Sequence, residues 1–269
     1  VRGDGEVIGI AVAVEGWSGY FPINHEGGGN MDRALTLDWF EEVLHTPATK
    51  IFHNAMYDVS WIRSLGFQIN GGIVDTLIAA SLINENRWGY SLNALGKEYV
   101  GMGKNEKILN EAAKDWGVDP KSEMWRLPAP LVGEYAEQDA IVTLKLWHAL
   151  QHEISKQDLW DVFNMETNLF PCLVDMKFKG VRVDIDKAEA LKKQLTVTEK
   201  DMHRDIKKLA GFDVEIWAAA SIAKAFDKEK IPYDRTEKGA PSFTKNFLAT
   251  HPAELPKLIN EAREINKAN

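Results

Sequence analysis

Two short motifs pair side chains at a spacing that can do chemistry. The first is Asn54-x-x-x-Asp58 within HNAMYD, and the second is Tyr135-x-x-x-Asp139 within YAEQD. Residues four apart on a helix lie on one face, one turn from each other. Tyr135 and Asp139 therefore present a phenol beside a carboxylate. That pairing suits hydrolysis of a phosphodiester, with the carboxylate on a divalent cation and the hydroxyl orienting the attacking water or the scissile phosphate. Hard oxygen ligands with retained water favour Mg²⁺ or Mn²⁺. A two-ion site holds its cations about 3.5–4 Å apart and needs several carboxylates, so Asp58 and Asp139 are a partial set.

Taken singly, each motif has an ordinary explanation. Asp58 reads as a first-turn acid favoured by the helix dipole, and Tyr135 as an aromatic at the edge of a core. Their order, their separation of about 80 residues and their strand–helix setting are what give the pair weight.

The elements that must position them follow from patterning. Val7–Val14 is a β-branched run, Trp17–Gly19 reads as a turn and Tyr20–Ile23 as a second strand, which together predict a hairpin. A helix is expected over Leu37–Leu44 with Thr36 as its cap, and a short strand over Lys50–His53 running into Asn54. Helical spacing continues over Met56–Leu65, Asp75–Asn84, Leu92–Tyr99 and Leu131–Ile154, whereas Met102–Ala129 is polar, broken by Pro120 and Pro128, and reads as irregular. Strands followed by helices indicate a mixed α/β sheet. Beyond about residue 160 the strand signal fades: helices are expected over Glu166–Lys179, Asp186–Leu209, Ser221–Glu229 and Pro256–Lys267, with Gly180–Asp184 extended and Thr236–Thr244 a loop.

With these elements in place, IFHNAMYDVSWI, IVDTLIAASLI, YSLNALGKEYVG and GEYAEQDAIVTLKLW resemble the 3′→5′ exonuclease domain of family A DNA polymerases. The resemblance implies an RNase H-like α/β fold using four acidic residues and a tyrosine. Asp58 and Asn54 match the second motif, and Asp139 and Tyr135 the third. A sister class has a histidine five residues before the last aspartate, where this chain has Glu134. The tyrosine class is thus indicated. The segments ETNLFPCLVDMKFKGVRVD, SIAKAFDKEKIPYDRTEKGAPSFTKNFL and EAREINKAN are similar to the linker and the opening of the mainly helical polymerase thumb, in a phage-like version. The expected organisation is an exonuclease domain over 1–160 and linker plus thumb over 161–269, with DNA as partner. Lys224, Ser242, Lys245, Arg263 and Lys267 are candidate phosphate contacts, joined by Lys238 and Thr244, and Asn54 is a candidate contact to the terminal nucleotide.

The family's first motif, Asp-x-Glu at the end of the first strand, has no good match. Asp4-Gly5-Glu6 has only three residues before it and leads into the next strand, so the first strand and its two acids are expected upstream of Val1. More sequence is expected at the other end as well, since the chain stops within a helical pattern. On this reading the 269 residues by themselves are nearly inert. Two alternatives remain open, an RNA-directed exonuclease and a DNA-binding scaffold that has lost catalysis.

Asp75 at the start of an apolar helix reads as a cap rather than a ligand, and His148 with His152 as a solvated helix face. Among nine tryptophans most are expected in the core, with some free to stack on unpaired bases. A single cysteine, Cys172, excludes an internal disulfide and thiolate zinc sites, and a cytoplasmic setting is expected. Residues 1–162 hold 13 basic and 23 acidic side chains, against 19 and 17 in residues 163–269. The acidic part suits cation binding and the basic part a phosphate grip, although chance surface variation explains the contrast equally well.

Overall fold

The computed structural model describes residues 5–103 and 106–269. Asp4, half of the doubtful Asp-x-Glu triplet, lies outside them. The chain divides into two compact units, Val1–Gly180 and Val181–Asn269.

In the first unit, β1 (Gly9–Val14) and β2 (Trp17–Pro22) pair antiparallel from Gly9↔Pro22 to Val14↔Trp17. The turn is therefore Glu15-Gly16 rather than Trp17–Gly19. A two-residue hairpin turn needs positive φ, and Gly16 supplies it at 79°. Helix α1 (Arg33–His45) is capped by Asp32, whose carboxylate accepts from the Leu35 N–H. Thr36, the expected cap, is instead buried inside the helix.

Strand β3 (Lys50–Phe52) leads into α2 (Ala55–Ser64), and β4 (Ile73–Asp75) leads into α3 (Thr76–Ile83). The two strands pair in parallel, Phe52 opposite Asp75. Helix α4 (Leu92–Leu95) continues as a π-helical turn over Gly96–Val100. Helix α5 (Lys107–Trp116) occupies part of the stretch expected to be irregular. Helices α6 (Ala129–Lys156) and α7 (Trp160–Lys179) complete the unit. The mixed α/β class holds, but the strands form separate two-stranded ladders, β1–β2 and β3–β4.

The apolar stripe of α6 forms the main core. Leu146, Leu150 and Ile154 pack with Ala79 and Ala80 of α3 and Leu95 of α4. Trp147 stacks on Phe163 at 5.4 Å, with Trp160 edge-on to both. A second cluster joins Ile10, Phe40, Leu44 and Ile62. A third joins Ala55 and Val59 of α2 to Phe170 and Val174 of α7. With this contact α7 packs within the first compact unit, which runs to Gly180.

The second unit holds α8 (Ile185–Ala210), α9 (Ala219–Lys228), β5 (Asp234–Arg235), β6 (Pro241–Ser242), α10 (Lys245–Thr250) and α11 (Glu254–Ala268). Phe226, Ile206, Ile222, Leu248 and Ile259 fill its core. The stretch 236–244, expected as a loop, is partly a small hairpin in which the Thr236 N–H donates to Ala240 O at 2.8 Å. Residues 180–184 form no strand, and Asp184 serves as the cap of α8.

Candidate active site

Asn54 sits where β3 becomes α2, with φ 66° and ψ 55°. Asparagine is among the few non-glycine residues that tolerate this left-handed conformation, and it lets the chain turn from strand to helix within one residue. The bend is clamped from the neighbouring strand. Asp75 Oδ1 accepts the N–H groups of Asn54 and Leu77, each at 2.9 Å, and Oδ2 accepts that of Ala55 at 2.8 Å. The Leu77 bond makes Asp75 the cap of α3, as its sequence position implies. The bonds to Asn54 and Ala55 go further, because they join the starts of two helices. Beside them the Thr76 hydroxyl donates to Phe52 O at 3.1 Å and accepts from His53 Nδ1 at 2.9 Å.

Asp58 follows one turn into α2. Burial pushes its carboxyl up to about 6; a hydrogen bond to its own backbone opposes the shift and the nearby Asp75 charge adds to it. Without a metal, Asp58 is therefore half protonated near pH 6 and mostly ionised at neutrality.

Tyr135 and Asp139 arrive on α6. Tyr135 packs beside the cluster of Leu109, Leu127 and Val132, and Asp139 Oδ1 is screened from solvent. The Thr143 hydroxyl donates to the Asp139 carbonyl at 2.8 Å, and Ser18 on β2 donates to Glu137 at 3.0 Å. Asn54, Asp58, Tyr135 and Asp139 all line one open cleft of about 1220 Å³. Its walls include β1 and residues 48–54, and among the described residues β1 pairs only with β2 and β3 only with β4. His148 touches the rim, but it and His152 are solvent-exposed, as expected of a polar helix face.

Asp58 and Asp139 are hard oxygen donors suited to a divalent cation. Among the described residues no group of three or more His, Cys, Asp or Glu side chains is placed to hold a metal. The donor chemistry fits, and the number of donors falls short of a two-ion site.

The remaining candidates lie in the second unit. Lys224 Nζ rests over the Phe212 ring at 4.8 Å. Ser242 is half-buried on β6, Thr244 caps α10, and Lys245 pairs with Glu264 at 3.2 Å. Arg263 is committed internally: Nε donates to Ile216 O at 2.7 Å and an Nη to Phe243 O at 2.9 Å. Lys267 Nζ is exposed, 5.3 Å from the Trp217 ring centre. The role of Asp75 as a clamp between elements escaped sequence reasoning, since only its local capping pattern is visible there.

A family model described as 3′-5′ exonuclease matches residues 3–155, and this chain belongs to that family, the exonuclease domain of family A DNA polymerases. Among relatives, a DNA-directed DNA polymerase of Pseudomonas phage M6 is 33% identical over 99% of this chain and 41% of its own length. DNA polymerase DpoZ of Vibrio phage phiVC8 is 34% identical over 68% of this chain and 31% of its own. DNA polymerase I of a Synechocystis strain is 24% identical over 89% and 24%. The chain thus spans about two fifths or less of these proteins. A solved structure titled as the POL domain of Pol1 from M. smegmatis in complex with DNA primer-template and dNTP shares the fold, with TM-score 0.60, 18% identity, and coverage of 97% of this chain and 42% of that one.

Proposed function

We propose that the first unit is a proofreading 3′→5′ exonuclease that removes mispaired nucleotides from DNA 3′ ends as nucleoside 5′-monophosphates. The observation that carries this reading is the meeting of Asp58, Tyr135 and Asp139, from α2 and α6, on one cleft beside Asn54. Asp58 and Asp139 would hold Mg²⁺ or Mn²⁺, which when bound supplies charge neutralisation at the scissile phosphate and a water of lowered pKa. The Tyr135 hydroxyl orients the attacking water, and Asn54 shapes the site around the terminal nucleotide.

The two carboxylates missing from a two-ion set belong, on this reading, to a strand carrying Asp-x-Glu that seats between β1 and β3. Supporting it, both strands line the cleft and each has one pairing partner among the described residues. The second unit is read as the start of a polymerase thumb gripping primer–template DNA, with Lys224, Ser242, Lys245 and Lys267 toward phosphates. Phage and bacterial relatives support a cytoplasmic setting.

The test is a nuclease assay with Mg²⁺ or Mn²⁺ on a polypeptide extended upstream to include the Asp-x-Glu strand. Release of 5′-mononucleotides from single-stranded DNA that Asp139→Ala abolishes supports the reading. Activity untouched by Asp139→Ala overturns the site. A preference for RNA over DNA overturns the substrate.

A further inference from the structure

The segment 84–90 joining α3 to α4 carries Trp88, whose relative exposure of 107% is the largest of any tryptophan among the described residues. Its side chain is fully exposed, although tryptophan is mostly buried in folded chains. The segment is nevertheless tied down on both sides. The Arg87 guanidinium donates two bonds to Glu98, at 2.8 and 2.5 Å. The Tyr90 hydroxyl donates to Asn84 O at 2.8 Å, and the Asn86 N–H to Asn84 Oδ1 at 3.1 Å. Trp88 thus sits exposed between Arg87 and Tyr90, both of which are hydrogen-bonded.

Its position relative to the cleft suggests a use. Tyr90, Ser91 and Leu92 line the cleft that holds Asp58 and Asp139. Ser91 also lines a shallow hollow of about 450 Å³ formed with Arg87, Trp88, Gly89 and Ala94. Ser91 thus borders both spaces. The hollow offers a flat π surface and room beside a glycine. Among the described residues its one cation is Arg87, which is paired with Glu98, so the hollow suits an aromatic base rather than a phosphate.

We propose that Trp88 stacks on an unpaired base of the DNA strand whose 3′ end enters the cleft, holding that strand away from its complement. Base stacking on an exposed indole is indifferent to sequence and requires a base free of its partner. Trp88 thereby favours single-stranded or frayed ends over intact duplex. This inference rests on the nuclease reading of the cleft.

The test measures binding of a fluorescein-labelled short oligothymidylate by the full chain in EDTA, which prevents hydrolysis. Trp88→Ala is expected to weaken binding about tenfold, and Trp88→Phe, which keeps a ring, by about threefold or less. Blunt duplex should bind both variants as it binds the parent. Equal affinity of Trp88→Ala and the parent for the oligothymidylate overturns the inference and leaves the nuclease reading standing. Equal weakening on duplex also overturns it, since duplex offers no free base. A parent chain that binds no single-stranded DNA overturns both.

Discussion

Asp75 holds Asn54 through a hydrogen bond from the Asn54 N–H to Oδ1 at 2.9 Å, while Oδ2 takes the next N–H, that of Ala55, at 2.8 Å. The bend that aims α2 and Asp58 is therefore imposed from β4. Asp75 is buried, at 7% exposure, so water replaces little of what its removal would take away. Asp75→Ala strands three backbone donors and should cost about 3 kcal/mol in urea denaturation. Asp75→Asn keeps the shape but turns an NH₂ group toward an N–H donor, and should cost about 1–2 kcal/mol. If the upstream-extended polypeptide has the proposed nuclease activity, both variants should lose it through Asp58. A loss of less than about 1 kcal/mol for Asp75→Ala would show the clamp to be dispensable.

Asp58 should report its burial directly. Its folded-state value of about 6 lies above the ordinary carboxylate value of 3.8, so the fold prefers the neutral acid. The resulting stability is fully present below pH 3.8 and is lost as pH rises through about 6. Asp58→Asn, neutral at every pH, should raise stability at pH 8 by about 2 kcal/mol and make no such difference at pH 4. Carbon-13 NMR titration of the carboxyl without metal checks the value. A midpoint near 3.8 would remove desolvation as the cause. Protons and cations compete for the same oxygens, so divalent-cation affinity should fall as pH drops below 6.

Much of this was legible in the sequence because it is local. A four-residue spacing on a helix puts Tyr135 and Asp139 on one face whatever surrounds them, and the hydrophobic period of α6 survives in the order of its residues. Helix α5 is hard to read from sequence because KILNEAAKDW has no side-chain cap at Glu106 and is followed by Pro120 and Pro128. Its signal was the buried spacing of Leu109, Ala112 and Ala113, followed by Gly117 in the left-handed C-terminal position. The hairpin turn is hard to place from sequence because Ser18 and Gly19 also read as turn residues, while the register depends on which pair closes around Gly16. The clamp of Asp75 on Asn54 spans 21 residues, and spacing alone gives no sign of it.

His25 should act on stability with the opposite sign to Asp58. Its Nδ1 donates to Leu127 O at 2.9 Å, which leaves Nε2 to accept the Tyr20 hydroxyl at 2.6 Å. This arrangement needs a neutral ring. Burial lowers the His25 pKa, with the Leu127 bond opposing the shift. The unfolded chain takes up its proton as pH falls below about 6.5, so folding should weaken in that range. Melting curves at pH 8 and pH 5 in an Asp58→Asn background isolate the effect. His25→Leu should be less stable at pH 8 by about 2 kcal/mol, because it orphans both partners, and should lose the acid sensitivity. Retained sensitivity in His25→Leu would assign it elsewhere.

Arg263 and Lys267 lie one turn apart on α11 and both approach Trp217, yet they should behave differently. Arg263 braces the second unit through the carbonyls of Ile216 and Phe243, with its guanidinium 5.0 Å from the Trp217 ring centre. Arg263→Ala should cost about 2–3 kcal/mol of stability, because two carbonyls lose charged donors. Any loss of DNA affinity should then follow the loss of fold. Lys267 ends in solvent, so Lys267→Ala should leave stability within about 0.5 kcal/mol. If Lys267 meets a phosphate, its removal should lower the slope of log affinity against log salt by about one, equally for any sequence. An unchanged slope would take Lys267 out of the contact set. A lowered slope in Arg263→Ala with stability intact would make Arg263 the phosphate ligand in spite of its internal bonds.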